Sequence, residues 1–218
     1  MLPAVLLVLA YLIGSIPFSF LVVKLFAGAD IRHHGSRNVG ATNVARTFGK
    51  LPGIIALLLD IAKGYAAVLA AQWMVTIREW PYRAGFGVTS FHQPAFWIGL
   101  AALVAIVGHM FPVWLRFHGG KGVATATGAF LAMNPLVVAG GMLVFVLVLL
   151  TTRFVSLSSM LSAASIPLFF RFFAHAPFWT DVCSIAIAIL VIAKHHSNIA
   201  RLAQGTERRM GERKEDSR

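Results

Sequence analysis

Ser36, Asn38, Thr42, Asn43 and Arg46 put two hydroxyls, two amides and a guanidinium within eleven residues, in the stretch GSRNVGATNVAR (35–46). Arg46 can grip a phosphate through paired hydrogen bonds. The competing reading is that the asparagines and Ser36 shape turns while the arginine meets lipid headgroups. A second stretch, HGGKGVAT (118–125), sets Gly119, Gly120 and Gly122 around Lys121 at the start of a helix-like segment. Glycines let backbone N–H groups approach a ligand, a helix N-terminus favours an anion, and the lysine adds a full charge. The GxxxxGK[ST] spacing and preceding strand of a P-loop are missing, so the alternative is a flexible turn with a snorkelling lysine. In KHHSNIARL (194–202), His195, Asn198 and Arg201 recur at intervals of three and share a helix face. Ser156, in TRFVSLSS (152–159), follows Arg153 at the mouth of another apolar run and means nothing alone.

The acids narrow the chemistry. Asp30, Asp60, Asp181, Asp216, Glu79, Glu207, Glu212 and Glu215 form no DxxD or ExxH cluster, so a two-metal carboxylate site is not expected. The histidines make no HExxH pattern and none has an aspartate five positions later. No metal and no cofactor is expected. The chain reads as built to hold anions without an obvious acid–base dyad.

The elements that must carry these residues are membrane helices. Of 218 residues 58% are hydrophobic and 12% charged, with mean hydropathy +0.76, whereas a soluble domain carries about 25% charged residues. Runs such as LPAVLLVLAYLIGSIPFSFLVV approach or reach the ~20 apolar residues a helix needs to cross the hydrocarbon core. The net charge of +11 sits between apolar runs, where topology and not nucleic acid explains it. The single cysteine, Cys183, rules out an internal disulfide and a cysteine-built metal cluster. With no basic n-region, residues 1–26 read as a retained first span.

Seven apolar segments are expected to be helices: 3–26, 52–77, 94–115, 123–133, 135–151, 159–173 and 179–195, the sixth interrupted by Pro167. The short 123–133 segment is either half-depth or packed inside the bundle, as its small residues suit. The fold class expected is therefore all-α, a polytopic seven-helix bundle. On that count Lys24 to Lys50, the 114–122 loop, Arg153 and the stretch from Lys194 hold fifteen basic residues on one side, against Arg78, Arg83 and Arg171 on the other. The asymmetry puts the N-terminus outside and the C-terminus in the cytoplasm. All four polar stretches then fall on the cytoplasmic face. Residues 1–218 read as one integral membrane domain, with 203–218 a loose cytoplasmic tail.

Taken together, SRNVGATNVAR, GHMFPVWLRFHGGKGVATATG and KHHSNIARLAQGTE, with DIAKG (60–64) between the first two, resemble the signature regions of the bacterial acyl-phosphate:glycerol-3-phosphate acyltransferases. The order and spacing run from residue 36 to 207. The resemblance implies a compact seven-helix enzyme of the bacterial inner membrane with its site on the cytoplasmic face. It would move a fatty acyl group from acyl-phosphate to the 1-hydroxyl of glycerol-3-phosphate, giving lysophosphatidic acid and phosphate, the first acylation of phospholipid synthesis. It implies Ser36 and Arg46 in the pocket and Asn38, Thr42 and Asn43 in the same loop. Gly119, Gly120 and Lys121 would hold phosphate, supported by His109, and Ser156, His195 and Asn198 would complete the pocket. One departure stands out: the family has Ser-Gly-Asn where this chain has Ser36-Arg37-Asn38, which matters if the position needs positive φ.

Two phosphate-bearing reactants explain loops rich in Lys, Arg and Gly. An acyl-phosphate is already activated, so donors aimed at the carbonyl oxygen and the departing phosphate are the main contribution expected of the protein. Lys121 and the Gly119 and Gly120 amides are assigned to the acyl-phosphate, and Arg46, Ser36, His195 and Asn198 to glycerol-3-phosphate. His195 or a phosphate oxygen of the donor takes the hydroxyl proton; the lack of a carboxylate to orient the imidazole favours the oxygen. Gly128 and Ala129 are expected to leave a groove for the acyl tail. The partners expected are these substrates and membrane lipid, with a monomer as the working assembly. The rivals are an organic-phosphate transporter, a membrane scaffold, and a metal-dependent phosphoalcohol transferase. Polar residues gathered at one face, their concentration in four loops, and the missing aspartate array count against them in turn.

Overall fold

The computed structural model describes residues 1–77, 91 and 93–212, and among these it is helical with no strand. The helices are α1 (Leu2–Ser15), α2 (Phe18–Ala27), α3 (Ala41–Phe48), α4 (Lys50–Met74), α5 (Pro94–Met110), α6 (Val123–Met133), α7 (Pro135–Thr152), α8 (Val155–Phe172), α9 (Phe178–Lys194) and α10 (His196–Ala203). Each of the seven apolar segments is helical, because in lipid a backbone must satisfy its N–H and C=O groups within itself. Among the described residues, five stretches are long and apolar enough to cross a membrane, or six if α9 and α10, bent by 56° at His195, count as one. Arg78 and Arg83, on which the outer charge balance partly rests, lie outside the described residues.

Local sequence sets the boundaries. Ile16–Pro17 breaks the first span into α1 and α2. Pro3, Pro94 and Pro135 each sit at the start of a helix, where the missing N–H has no partner to lose. Asn134 caps α7, its Oδ1 accepting from Leu136 N at 3.0 Å and Val137 N at 3.3 Å. Pro167, expected to interrupt its span, does not: α8 runs unbroken through it, as bilayer helices often do where neighbours support the freed carbonyl.

Helix α6, 11 residues and so about 16 Å long, packs inside the bundle against α4. Two glycines allow this. Any Cβ on Gly64 of α4 would collide with the Thr125 carbonyl, and any Cβ on Gly128 of α6 would collide with the Ile61 carbonyl. Backbone meets backbone at both points, a small-residue contact of the kind that holds helices together in lipid. Gly128→Val is expected to destabilise the protein by at least about 2 kcal/mol, read as a lowered Tm in detergent. Above this contact Val68, Ile106, Met110, Ala129, Phe130, Phe170 and Ile187 form the central core. Leu136, Leu143, Leu147 and Leu150 of α7 are exposed, as a lipid-facing side must be.

Candidate active site

The first polar stretch is folded by one buried side chain. Asn43, in the first turn of α3, accepts from Ser36 N at 2.9 Å and donates to the carbonyls of His34 at 3.0 Å and Asn38 at 3.1 Å. It clamps residues 34–38 into a loop and leaves Ser36 and Thr42 exposed. Asn43 is therefore a scaffold residue, and Asn38 contributes its carbonyl to the same clamp. Arg37 holds φ 60°, the left-handed region, the positive φ that a glycine at this position, as the resemblance implies, would suit. A non-glycine residue there is disfavoured by about 1–2 kcal/mol. Arg37→Gly is expected to raise stability by up to about 1 kcal/mol, part of the relief being offset by the freer unfolded chain. Thermal unfolding of the two proteins checks this.

The Gly119–Gly120 turn corrects an expectation. Gly119 N–H donates to the Met110 carbonyl and Gly120 N–H to the His109 carbonyl, each at 3.2 Å. The amides expected to face an anion are used within the chain. The glycines serve close approach: a Cβ at either position would overlap the His109 carbonyl or its imidazole. What the turn projects is Lys121, whose Nζ donates to Asn198 Oδ1 across the site.

Asn198 belongs to α10, which the bend at His195 turns across the end of the bundle. Its Nδ2 donates to Glu207 Oε1 at 2.6 Å. Ser156 Oγ, in the first turn of α8, donates to the same oxygen at 2.6 Å, and Arg201 Nε donates to Oε2 at 2.7 Å. Burial alone would raise the Glu207 carboxyl, but these three donors hold it below the usual carboxylate range. Glu207 is the hub that sequence reading missed, and Arg201 was noticed but not chosen. The site is thus less carboxylate-free than its loops suggested. The strand of chain bearing Glu207 was expected to start a loose tail. Instead Met210 N–H donates to the Arg153 carbonyl at 2.7 Å and Arg153 Nη2 to the Met210 carbonyl at 2.8 Å. Residues 204–212 are held against α8, and 213–218 lie outside the described residues.

The basic arms share one field. Arg46, on the outer side of α3, feels the carboxylates of Glu207 and Glu212 and the guanidinium groups of Arg208 and Arg201. Burial first, then Arg201, push the Lys121 amine down to about 8, with Glu207 opposing and Arg46 adding to the shift. Arg46, Lys121, Arg201 and Arg208 therefore outnumber Glu207 and Glu212, and the surplus charge suits anions. Lys121 keeps two N–H donors beyond the one on Asn198. His195 is buried, and its Nδ1 lies 2.7 Å from the Val191 carbonyl. A carbonyl only accepts, so Nδ1 carries the proton and Nε2 presents a lone pair. A backbone carbonyl, and no carboxylate, orients this ring.

An apolar cavity of about 470 Å³ opens beside these groups, lined by Val123, Ala126 and Phe130 of α6, Met142 of α7, Ile166 of α8 and Val191 of α9 among others. Its upper end is at Val123, two residues past Lys121, and at Val191, whose carbonyl holds His195. Residues 123, 126, 127 and 130 form one face of α6. Gly128 and Ala129, expected to leave the groove, occupy the other face, against α4 and in the core. His109, expected to support the second polar stretch, accepts the Gly120 N–H on its carbonyl and packs its ring beneath Gly120.

A family model described as glycerol-3-phosphate acyltransferase matches residues 4–205. A glycerol-3-phosphate acyltransferase of Trichlorobacter lovleyi is 46% identical over 198 residues, covering 91% of this chain and 92% of its own. One of Thermosynechococcus vestitus is 42% identical over 204 residues, covering 93% and 92%. Among solved structures, the crystal structure of PlsY (YgiH), an integral membrane glycerol 3-phosphate acyltransferase, in its glycerol 3-phosphate form aligns with TM-score 0.82 and 39% identity, covering 96% of each chain. The lysophosphatidic acid form of PlsY aligns with TM-score 0.80 and 38% identity.

Proposed function

This chain belongs to the glycerol-3-phosphate acyltransferase family, and from that premise we propose that it acylates the 1-hydroxyl of glycerol-3-phosphate with acyl-phosphate as donor. The products are lysophosphatidic acid and inorganic phosphate. One observation carries the reading: Arg46, Lys121 and Arg201 gather around Glu207 and Asn198 at the mouth of an apolar cavity. That arrangement suits two phosphate heads outside and a hydrocarbon tail within.

Lys121 takes the donor phosphate, and its charge grows in value as negative charge moves onto the leaving group. Arg46 of α3, with Ser36 of the preceding loop and Thr42 of the same helix, takes glycerol-3-phosphate. Asn198, bonded to Lys121, joins the two halves, and Ser156 acts through Glu207. The tail lies along the 123–126–130 face of α6. The His195 Nε2 lone pair accepts from the glycerol hydroxyl and aims its oxygen at the acyl carbon. As the C–O bond forms and the carbonyl–phosphate bond breaks, the hydroxyl proton goes to a phosphate oxygen of the donor. His195→Gln is accordingly expected to keep measurable activity with the acid limb of its pH–rate profile unshifted. Loss of that limb would make His195 the base.

The protein works as a monomer in the bacterial inner membrane. α6 makes the seventh helix of the bundle, the N-terminus is outside, and the site faces the cytoplasm, in keeping with the basic residues around it. The purified protein in detergent, given acyl-phosphate and labelled glycerol-3-phosphate without metal or coenzyme A, should form labelled lysophosphatidic acid. Product formed only from a thioester donor would refute the donor assignment.

A further inference from the structure

One layer beneath the anion site lies a second polar cluster, which the reaction outlined above leaves without a task. Asp60 of α4 is 1% exposed and Lys63, one turn on, 4%. Lys63 Nζ stands 2.7 Å from Asp60 Oδ1 and donates to the Ile16 carbonyl, at the α1–α2 break, over 2.7 Å. Ser19 of α2 donates to Asp60 Oδ2 at 3.1 Å. His109 Nδ1, in the last turn of α5, is 3.5 Å from Asp60 Oδ1. One carboxylate thus links α2, α4 and α5 in the bundle interior. Ionised groups are expensive to bury there and are kept where they do something.

The way upward from this cluster runs through His109. Its carbonyl accepts the Gly120 N–H at 3.2 Å. Its imidazole Nε2 edge packs so closely under Gly120 that no Cβ fits between them. Lys121 is the next residue. A cavity of about 190 Å³ lies alongside, lined by Asp60, Lys63 and His109 below and by Val39 and Gly119 of the two polar loops above. The carboxylate's charge is what faces the ring from that side; without it the ring is no longer held there, and the Gly119–Gly120 turn would move with it.

We propose that Asp60 and His109 are positioning residues for Lys121: the Asp60 carboxylate fixes the His109 ring, and the ring fixes the turn from which Lys121 reaches Asn198. This rests on Lys121 being the ligand of the donor phosphate. A displacement of about 1 Å at such a group is enough for a large kinetic effect. For Asp60→Asn the KM for acyl-phosphate should rise about tenfold, the size typical of losing a group that orients a ligand-bearing residue from behind. The KM for glycerol-3-phosphate should stay within about twofold. Because Asp60→Asn leaves Lys63 buried without its counter-charge, the double variant Asp60→Leu/Lys63→Met, which removes both charges together, is the companion measurement. It should show the same selective rise in a protein that stays folded. An unchanged acyl-phosphate KM in either folded variant overturns the proposal, as does an equal rise in both KM values, the mark of a merely loosened bundle. A Lys121→Ala protein with full activity would overturn the assignment of Lys121 itself, and the proposal with it.

Discussion

Lys121→Ala should lower kcat/KM by about 10²- to 10³-fold, the usual consequence of deleting one preorganised group aimed at developing negative charge. The lysine stands at the end of a turn held by the His109 and Met110 carbonyls, which fixes where its ammonium is presented. Its titration gives a second signature. With the amine pushed down to about 8, Lys121 is cationic below that pH and neutral above it. Activity limited by donor binding should therefore fall as pH rises through about 8, approaching tenfold per pH unit. Lys121→Arg, charged at every accessible pH, should lose activity from altered geometry and also lose this basic limb. A basic limb that persists in the arginine protein would assign the titration to another group.

Glu207→Ala should be nearly as damaging, by about 10²-fold, although Glu207 takes no part in the proposed bond changes. Its two oxygens collect Ser156, Asn198 and Arg201 at 2.6, 2.6 and 2.7 Å. Removing the carboxylate leaves buried donors unpaired, at about 1–3 kcal/mol each, and frees Asn198, the partner of Lys121. It also deletes the negative charge that acts on both Arg46 and Lys121 and is bonded to Arg201. Glu207→Gln keeps one acceptor and the size of the side chain, so it should lie between wild type and alanine in both Tm and kcat/KM. Alanine and glutamine proteins of equal activity would show that the charge matters and the shape does not.

The helices were legible because lipid imposes a simple rule: a backbone among hydrocarbon must close its own hydrogen bonds, and apolar runs mark where it does. Arg46, Lys121 and Asn198 stood out as polar exceptions within that pattern, Ser156 entered only through the resemblance, and the Arg37 substitution flagged a left-handed residue. Glu207 escaped because an acid in the stretch TERRMGERKEDSR reads as one solvated charge among many. Nothing local tells that its donors include Ser156, 51 positions away. The two glycine amides were misassigned for a related reason. Glycine permits an exposed N–H and permits a close backbone contact equally well, and only the third dimension distinguishes them. The two faces of α6 were confused because small residues lie on both. Gly128 meets a backbone and Ala126 meets a void.

The position of Glu207 beyond the last membrane helix has a consequence for biosynthesis. Every helix could be inserted, and Arg46 and Lys121 already made, while the carboxylate that joins their surroundings is still inside the ribosome. The site would then be incomplete until late in translation, and a copy clipped between residues 203 and 207 would reach the bilayer intact in its spans yet impaired at least as far as the Glu207→Ala protein.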